Sequence, residues 1–379
     1  MKNKLIIIVL TILSIFTLTS CNDKNRINPK NYSIGSLAYY LYLDTVSQVA
    51  VEYNNKEKTK EDVARELQYV NDILLNIEKE FSIEQTYYMK RNDIKESTLM
   101  KINNSSGKEP VVVSDTFLKV LEQAKEIYEL TNHGFDPTVG PLSRLWDISG
   151  QAEYCSIDGS CNIPKSEDIQ EALELVNFEY VKINKEEKTV LLEKEGMILD
   201  FGGIAKGFAA DMVMDYLKTL GYTYISVNLG GNLMVYGSSK IYEARGEKVP
   251  TEIQNPQNST TTIIRTEETN MTVVSSGVYE RFIEVDGKKY HHILDPKTGY
   301  PFENELLMVS IIGTNSCICD GLSTGVFALG LENGIKLIQS LEGYSAFFIT
   351  KDNKIYAVGD IEFTLTEVGK KDFTLEIVK

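Results

Sequence analysis

The chain has 379 residues, of which 42% are hydrophobic and 25% are charged, as is typical of a globular protein with a sizeable core. It carries 39 basic and 54 acidic residues, so its net charge is −15, and no cluster of lysine or arginine stands out. Nucleic acid is therefore not an expected partner, and the acidity mainly favours solubility.

The N-terminus has the parts of a bacterial secretion signal. Lysines at positions 2 and 4 precede an apolar run from Leu5 to about Leu18, which is short for a membrane span. Leu18-Thr19-Ser20-Cys21 then places small residues before a single cysteine. This order resembles a bacterial lipoprotein signal, which implies cleavage before Cys21 and a lipid on its sulfur. An ordinary signal peptide or an uncleaved anchor is the alternative.

These features predict three parts of the chain. Residues 1–20 form the signal peptide, residues 21–33 form a polar tether, and residues 34–379 form the working domain. The lipid would hold that domain on the extracytoplasmic side of a bacterial membrane, at the cell membrane or a periplasmic face.

Apolar residues at helical spacing come first along the working domain. The predicted helices run from about Glu61 to Phe81, from Phe117 to Tyr128 behind a possible Ser114 cap, from Ser166 to Val176, and from about Lys206 to Leu220. The predicted strands are Lys188–Leu192, Tyr224–Asn228, Leu233–Tyr236, Met271–Ser275, Leu307–Ile312, Ala346–Thr350 and Ile355–Val358. The polar stretch from Gly246 to Thr262 is predicted to be a loop. Because no regular βαβ repeat appears, the pattern favours an α+β fold.

Four cysteines follow the signal. Cys155 and Cys161 flank a short polar segment and could form a small disulfide loop in an oxidising compartment. Cys317 and Cys319 lie inside a hydrophobic run, where we expect two small buried side chains.

Five glycine-rich or polar clusters interrupt the apolar pattern. They are Gly134 to Leu142, Asp200 to Gly207, Ser226 to Asn232, Ser275 to Gly277 leading to His292 through Pro301, and Cys319 to Thr324. Taken singly, each has a structural explanation: a turn at Asp295, a bulge or turn at a Gly-Gly pair, or a helix N-cap at Asp320.

Together, the clusters supply what a nucleotide diphosphate needs. Gly202-Gly203 and Gly230-Gly231 let the backbone approach a ligand closely, and a helix beginning near Lys206 offers its positive N-terminal dipole. Asp320 and Thr324 are four residues apart, so on a helix both oxygens face one side and can share a hard cation such as Mg²⁺. This arrangement is suited to phosphoryl transfer.

The five clusters, in this order behind a lipoprotein signal, resemble the ApbE family of FAD:protein FMN transferases. The resemblance implies an α+β fold of mixed helices and largely antiparallel sheet, with an ApbE-like, T-fold-like core. It also implies an enzyme that cleaves FAD with Mg²⁺, attaches FMN to a Thr or Ser of an acceptor flavoprotein of an electron-transfer complex, and releases AMP.

The resemblance also assigns residues. It makes Leu43, Gly134, Phe135, Asp136, Asp200, Lys206 and Ile293 contacts of the flavin nucleotide, and Gly203, Asp320 and Thr324 ligands of the metal. Asp320 and His292 are the candidate catalytic residues, with His292 assisting proton removal from the attacking hydroxyl. The alternative for His292 is a hydrogen-bond partner of the Asp295 turn. Two other functions remain open: an FAD pyrophosphatase that gives free FMN, and a lipoprotein that binds flavin without turnover.

Overall fold

A computed structural model describes residues 27–42, 45–158 and 161–379 of the chain. The predicted signal peptide, Cys21 and Leu43 lie outside the described residues. Strand β1 begins at Tyr32, within the last residues of the predicted tether. Among the described residues, no helix combines the length and the apolar character needed to cross a membrane.

The helices include the four that the sequence predicts. They are α1 (Lys60–Phe81), α2 (Tyr87–Arg91), α3 (Thr98–Asn104), α4 (Asp115–Leu130), α5 (Gly140–Trp146), α6 (Ile148–Asp158), α7 (Ser166–Leu173), α8 (Ala205–Lys218), α9 (Lys240–Glu243), α10 (Ser316–Ser340) and α11 (Glu367–Asp372). Short 3₁₀ helices cover Pro29–Asn31 and Phe178–Tyr180. Helix α4 begins behind the predicted cap, because Ser114 Oγ accepts from the Phe117 amide at 3.0 Å.

The strands are more numerous than the sequence predicts. They are β1 (Tyr32–Tyr42), β2 (Thr45–Asn54), β3 (Val111–Val112), β4 (Val181–Asn184), β5 (Thr189–Leu192), β6 (Tyr224–Leu229), β7 (Asn232–Gly237), β8 (Thr251–Asn255), β9 (Asn258–Thr266), β10 (Met271–Gly277), β11 (Phe282–Val285), β12 (Lys288–His291), β13 (Leu306–Gly313), β14 (Ser345–Thr350), β15 (Lys354–Val358), β16 (Thr364–Leu365) and β17 (Thr374–Val378).

Nine of these strands form the main sheet, in the order β1-β2-β6-β7-β10-β13-β14-β15-β17. Every neighbouring pair is antiparallel except β15 and β17, which run parallel. Smaller sheets join β11 with β12, β16 with β9 and β8, and β3 with β5 and β4. The largely antiparallel α+β architecture predicted from the sequence is confirmed.

The two faces of the main sheet bury different clusters, because successive side chains of a strand point to opposite sides. On one face, residues such as Val227 and Val274 pack with helices α1, α4, α8 and α10. On the other, Val235 and Val273 pack with Ile264 of β9 and its neighbours. A third cluster joins α5, α6 and α7 to the β11–β12 hairpin. The functional cleft opens between the first and third clusters.

Several sequence predictions need correction. The polar stretch from Gly246 to Thr262 is not a loop throughout, because it contains β8 and the start of β9. Strand β8 alternates buried Thr251, Ile253 and Asn255 with exposed Glu252 and Gln254, and β9 begins with three exposed residues. Helix α7 ends at Leu173 rather than at Val176, and α8 ends at Lys218 rather than at Leu220.

Helix α10 carries the last polar cluster. It begins at Ser316, so Asp320 is not its N-cap. Its cap is Asn315, whose Oδ1 accepts from the Ile318 amide at 2.8 Å, so Asp320 lies inside the helix. The helix is kinked at Gly330, where φ is 74°. The side chains of Asp320 and Thr324 therefore project from one face of a regular helical segment.

Candidate functional site

A cleft of about 450 Å³ contains ten of the residues singled out from the sequence. It is lined by Gly134, Phe135, Asp136, Asp200, Gly203, Lys206, His292, Ile293, Asp320 and Thr324, among others. These residues come from loops and helix ends that are far apart in the sequence, and the fold brings them together. Leu43 and Cys21, outside the described residues, are the remaining two.

Asp320 is held at the base of the cleft by helix α8. The side chain is 4% exposed, and its Oδ2 accepts a hydrogen bond from the Gly207 amide at 2.9 Å. Lys206 Nζ lies 3.9 Å from Oδ1 and donates to the Gly202 carbonyl at 2.8 Å. One carboxylate oxygen is thus engaged by the backbone, and the other faces the lysine and the cleft.

Oxygen donors surround the position beside Asp320. A Cβ built on Gly203 would lie 3.4 Å from Thr324 Oγ1, so the Gly203 backbone and this hydroxyl are close neighbours. Ser276 Oγ lies 3.3 Å from Thr324 Oγ1 and 2.7 Å from Ser323 Oγ.

A carboxylate, a hydroxyl and a backbone carbonyl are the hard ligands that Mg²⁺ prefers, and such a site keeps room for water and phosphate oxygens. Within the described ranges, no three His, Cys, Asp or Glu side chains converge on one point. The predicted set, with Asp320 as its one carboxylate, has the donor chemistry of a magnesium site that is completed by a phosphorylated ligand.

Asp200 shapes the turn that leads into α8. Its Oδ1 accepts from the Gly202 amide at 2.8 Å, and its own amide donates to the Pro137 carbonyl at 2.8 Å. The second bond joins this turn to the loop that begins at Gly134. Helix α8 then starts at Ala205 without a cap from the side chain of Ile204. In its first turn the Ala205 amide donates to the Phe201 carbonyl at 2.8 Å, and the Gly207 amide donates to Asp320.

The loop from Gly134 to Asp136 forms the neighbouring wall. The Phe135 amide donates to Thr131 Oγ1 at 3.1 Å, and Asp136 Oδ1 accepts from both the amide and the hydroxyl of Thr138, at 2.8 and 2.6 Å. Burial raises the pKa of the Asp136 carboxyl, although the bonds from Thr138 oppose that shift.

His292 lines the same cleft, and its contacts define its tautomer. Its Nδ1 lies 3.2 Å from the Arg281 carbonyl, which can only accept, so Nδ1 carries the proton and Nε2 keeps a lone pair. Burial is the main reason that the pKa of His292 falls to about 4, and the nearby cationic Arg281 and Lys206 lower it further. The imidazole is therefore neutral at physiological pH.

The alternative role of His292 does not match its contacts. The Asp295 carboxylate is satisfied inside its own turn, by the Lys297 amide at 2.8 Å and the Thr298 hydroxyl at 3.0 Å. The ring of His292 pairs with Arg281 instead. The imidazole thus is not the partner of this turn.

Several residues of the cleft were missed as site residues by sequence reasoning. Arg281 Nη1 donates to Ser149 Oγ at 3.4 Å, which links the β10–β11 connection to α6. Glu280 also lines the cleft, and burial raises the pKa of its carboxyl although the side chain keeps contact with solvent. Asn232 and Ser276 also line the cleft. Both belong to the glycine-rich or polar clusters of the sequence, but their spacing did not indicate a role.

The four cysteines within the described residues fall into two classes. Cys155 and Cys161 form a disulfide, with 5.1 Å between their Cα atoms, that joins the end of α6 to the segment before α7. Cys317 and Cys319 are free and buried, as predicted, and burial raises the pKa of each thiol well above its usual value.

The chain belongs to the ApbE family, whose model matches residues 43–348. A Klebsiella pneumoniae (strain 342) protein named FAD:protein FMN transferase is 36% identical over 260 residues, covering 69% of this chain and 77% of the relative. A Treponema pallidum (strain Nichols) protein of the same name is 33% identical over 276 residues, covering 70% of this chain and 74% of the relative.

Solved structures share the fold. The flavin transferase ApbE from Vibrio cholerae superposes with a TM-score of 0.69 at 22% identity, covering 90% of this chain and all of its own. The ApbE protein of Thermotoga maritima gives a TM-score of 0.70 at 25% identity, covering 90% of this chain and 99% of its own. The family resemblance and the α+β fold expected from the sequence are both confirmed.

Proposed function

We propose that this protein is a magnesium-dependent enzyme that transfers FMN from FAD to a Thr or Ser hydroxyl of an extracytoplasmic flavoprotein and releases AMP. Family membership and the names of the relatives support the flavin-transfer chemistry. The observation that carries the proposal is the convergence of Gly203, Asp320 and Thr324 beside Lys206 in one cleft.

The reaction breaks the phosphoanhydride bond of FAD and forms one phosphoester bond. The acceptor oxygen forms a bond to the FMN phosphorus, the bond between the two phosphates breaks, and AMP leaves with the electron pair. A magnesium ion held by Asp320, Thr324 and the Gly203 carbonyl would neutralise charge on the phosphates. Lys206 adds a second positive charge at the same end of the cleft.

His292 is the group that receives the proton of the acceptor hydroxyl. Its neutral ring offers Nε2 to the cleft, while the Arg281 carbonyl fixes Nδ1. The loop from Gly134 to Asp136, together with Asp200 and Ile293, would position the flavin nucleotide so that the hydroxyl meets phosphorus in line. Leu43 is proposed as a further contact of the nucleotide.

Acceptor dependence tests the transferase activity against its alternatives. The soluble domain is incubated with FAD and Mg²⁺, with and without a Thr-bearing acceptor flavoprotein, while AMP and protein-bound flavin fluorescence are followed. A transferase releases AMP slowly alone and faster with acceptor, with covalent FMN on the acceptor. Full-rate AMP release without acceptor would instead identify an FAD pyrophosphatase. No AMP in either case would leave a protein that only binds flavin.

We further propose that the domain is anchored outside the cytoplasm by a lipid on Cys21, with residues 1–20 removed and the tether up to residue 33 linking it to the membrane. The Cys155–Cys161 disulfide supports an oxidising compartment. Cys21→Ser should abolish membrane attachment, measured by fractionation and by mass of the N-terminal peptide. A membrane-bound Cys21→Ser protein that still matures normally would contradict lipidation at this residue.

A further inference from the structure

Asn232 is a buried polar residue whose side-chain N–H donor the fold leaves unpaired. Its side chain is 2% exposed, yet its Nδ2 has no hydrogen-bond partner in the described part of the chain. Buried amide groups in folded proteins are nearly always paired, so an orphaned donor calls for a partner that is absent from the isolated chain.

The register of the main sheet directs Asn232 toward the oxygen donors of the cleft. Strand β7 pairs with β10 through Leu233 and Val273, so Asn232 lies beside the next residue of β10, Val274. Ser276 is two residues further along β10, on the same face and at a diagonal distance of about 7–8 Å. Ser276 in turn contacts Thr324 at 3.3 Å. Asn232 therefore lines the cleft next to the residues proposed to hold the ion and phosphates.

The turn before Asn232 keeps its side chain in this position. Asn228 Oδ1 accepts from the Gly231 amide at 3.0 Å, and Gly231 has a φ of 97° that other residues rarely adopt. Gly230 packs so closely on Thr45 that an added Cβ would lie 2.3 Å from Thr45 Oγ1. Because this turn is already fixed in the free protein, binding a ligand at the unpaired donor costs little further conformational entropy.

We propose that the side-chain amide of Asn232 donates a hydrogen bond to a phosphoryl oxygen of the bound dinucleotide. This inference rests on the proposed function, and it adds a neutral donor to the charged groups there. A diphosphate presents more acceptor oxygens than one ion and Lys206 can satisfy. An amide N–H supplies a further bond without adding charge.

A panel of ligands tests which part of the nucleotide the amide contacts. Dissociation constants of FAD, ADP and riboflavin are measured with Mg²⁺ and without acceptor, for the wild type and for Asn232→Ala. We expect FAD and ADP to bind about 10- to 100-fold more weakly to the variant, as for a lost bond to a charged group. Riboflavin, which lacks phosphate, should bind equally to both proteins.

An unchanged affinity for FAD and ADP overturns the inference, and so does an equal loss for riboflavin, because the amide would then contact the flavin ring. The proposed function fails separately: a wild type that binds FAD but shows no acceptor-dependent AMP release is not a transferase. The panel still decides the role of Asn232 in that protein.

One further variant, Asn232→Asp, and the melting temperature of Asn232→Ala separate a binding role from a structural one. Asn232→Asp keeps an oxygen but removes the N–H group and adds a negative charge, so it should weaken FAD binding more than Asn232→Ala does. Weaker Mg²⁺ binding by Asn232→Ala in the absence of nucleotide would instead identify a metal ligand and overturn the inference. Without ligand, Asn232→Ala should melt at or above the wild-type temperature, because the donor it removes is unpaired.

Asn304 is the matched control. Its Nδ2 donates to the Phe327 carbonyl at 2.7 Å and its Oδ1 accepts from the Leu306 amide at 3.0 Å, so both amide atoms are used by the fold. Asn304→Ala should lower the melting temperature and leave the FAD dissociation constant unchanged. A clear fall in the melting temperature of ligand-free Asn232→Ala, like that of the control, would show a structural role and overturn the inference.

Discussion

The backbone amide of Gly207 donates a 2.9 Å hydrogen bond to Asp320, across the contact between helices α8 and α10. This approach requires glycine: an added Cβ would lie 2.1 Å from the Ser316 carbonyl oxygen and 2.8 Å from Asp320 Cβ. The carboxylate at the base of the cleft is therefore positioned by backbone contact, and its place depends on how closely the two helices pack.

Gly207→Ala should push the two helices apart and displace Asp320. Overpacking of a buried contact costs about 1–3 kcal/mol, and here the obstructing atoms are backbone atoms that cannot rotate away. We expect a lower free energy of unfolding and weaker Mg²⁺ binding, measured by denaturant titration and by calorimetry. Met212→Ala, on the more exposed side of α8, is the control and should change little. Wild-type magnesium affinity in Gly207→Ala would refute this account of the site.

The charge of Asp320 should matter more than the hydroxyl of Thr324. Asp320→Asn preserves shape and can still accept from Gly207, but it removes the anionic ligand, so AMP release should fall at least about 100-fold. Thr324→Val should lose less, and Thr324→Ser should be nearly active because it retains the hydroxyl. Rates at saturating FAD over a series of Mg²⁺ concentrations give the comparison. Near-normal, magnesium-dependent turnover by Asp320→Asn would remove Asp320 from the metal site.

His292 should give the pH profile of transfer an unusually acidic limb. Its pKa is lowered to about 4, so the neutral base is present from pH 8 down to about pH 5 and is lost as pH falls through 4. Transfer should therefore be insensitive to this group near neutrality and decline below about pH 5, whereas an ordinary histidine would titrate near 6.5.

Substitutions of His292 and Glu280 show which of the two groups causes the acidic limb of the pH profile. His292→Ala should slow covalent transfer by about 100-fold or more, with little change in FAD affinity. Glu280→Gln is the control, because burial raises the pKa of the Glu280 carboxyl in the same cleft. If the acidic limb disappears in Glu280→Gln and persists in His292→Ala, the limb belongs to the glutamate.

The disulfide should contribute modestly to stability. Closing this short loop restricts the unfolded chain and so raises the free energy of unfolding by about 2 kcal/mol. The double substitution Cys155→Ser and Cys161→Ser should therefore lower the melting temperature by several degrees. Dithiothreitol should shift the wild type toward the variant and leave the variant unchanged. An equal shift of both proteins would mean that the reductant acts elsewhere.

Amphipathic elements were predictable because their burial is one-sided. The periodicity from Glu61 to Phe81 predicts a helix, and α1 covers Lys60–Phe81 with Val70 and Leu74 fully buried. For helix α10 the sequence indicated a helix after Asp320 but not its start at Ser316, because the segment is apolar and buried on nearly all sides and has no one-sided pattern there. The β8–β9 pair was missed for the opposite reason: its polar, solvent-facing residues are typical of a loop.

The site was predictable where chemistry is concentrated in short motifs, as at Asp320 and Thr324. Side chains that depend on strand register were not. Asn232 becomes informative only when β7 and β10 are aligned and its amide proves to be unpaired. Arg281 likewise contacts His292 through its backbone carbonyl. Every residue type has this carbonyl, so the sequence could not indicate the contact.

The residues that line the cleft are synthesised at very different times. The loop at Gly134 is made early, Asp200 and Asn232 follow, and Asp320 arrives only with α10, after which β14 and β15 must still add to the main sheet. A polypeptide that stops before α10 therefore lacks Asp320 and Thr324, although most of its length has been synthesised. The cleft therefore has its complete set of oxygen donors only in chains that extend through α10.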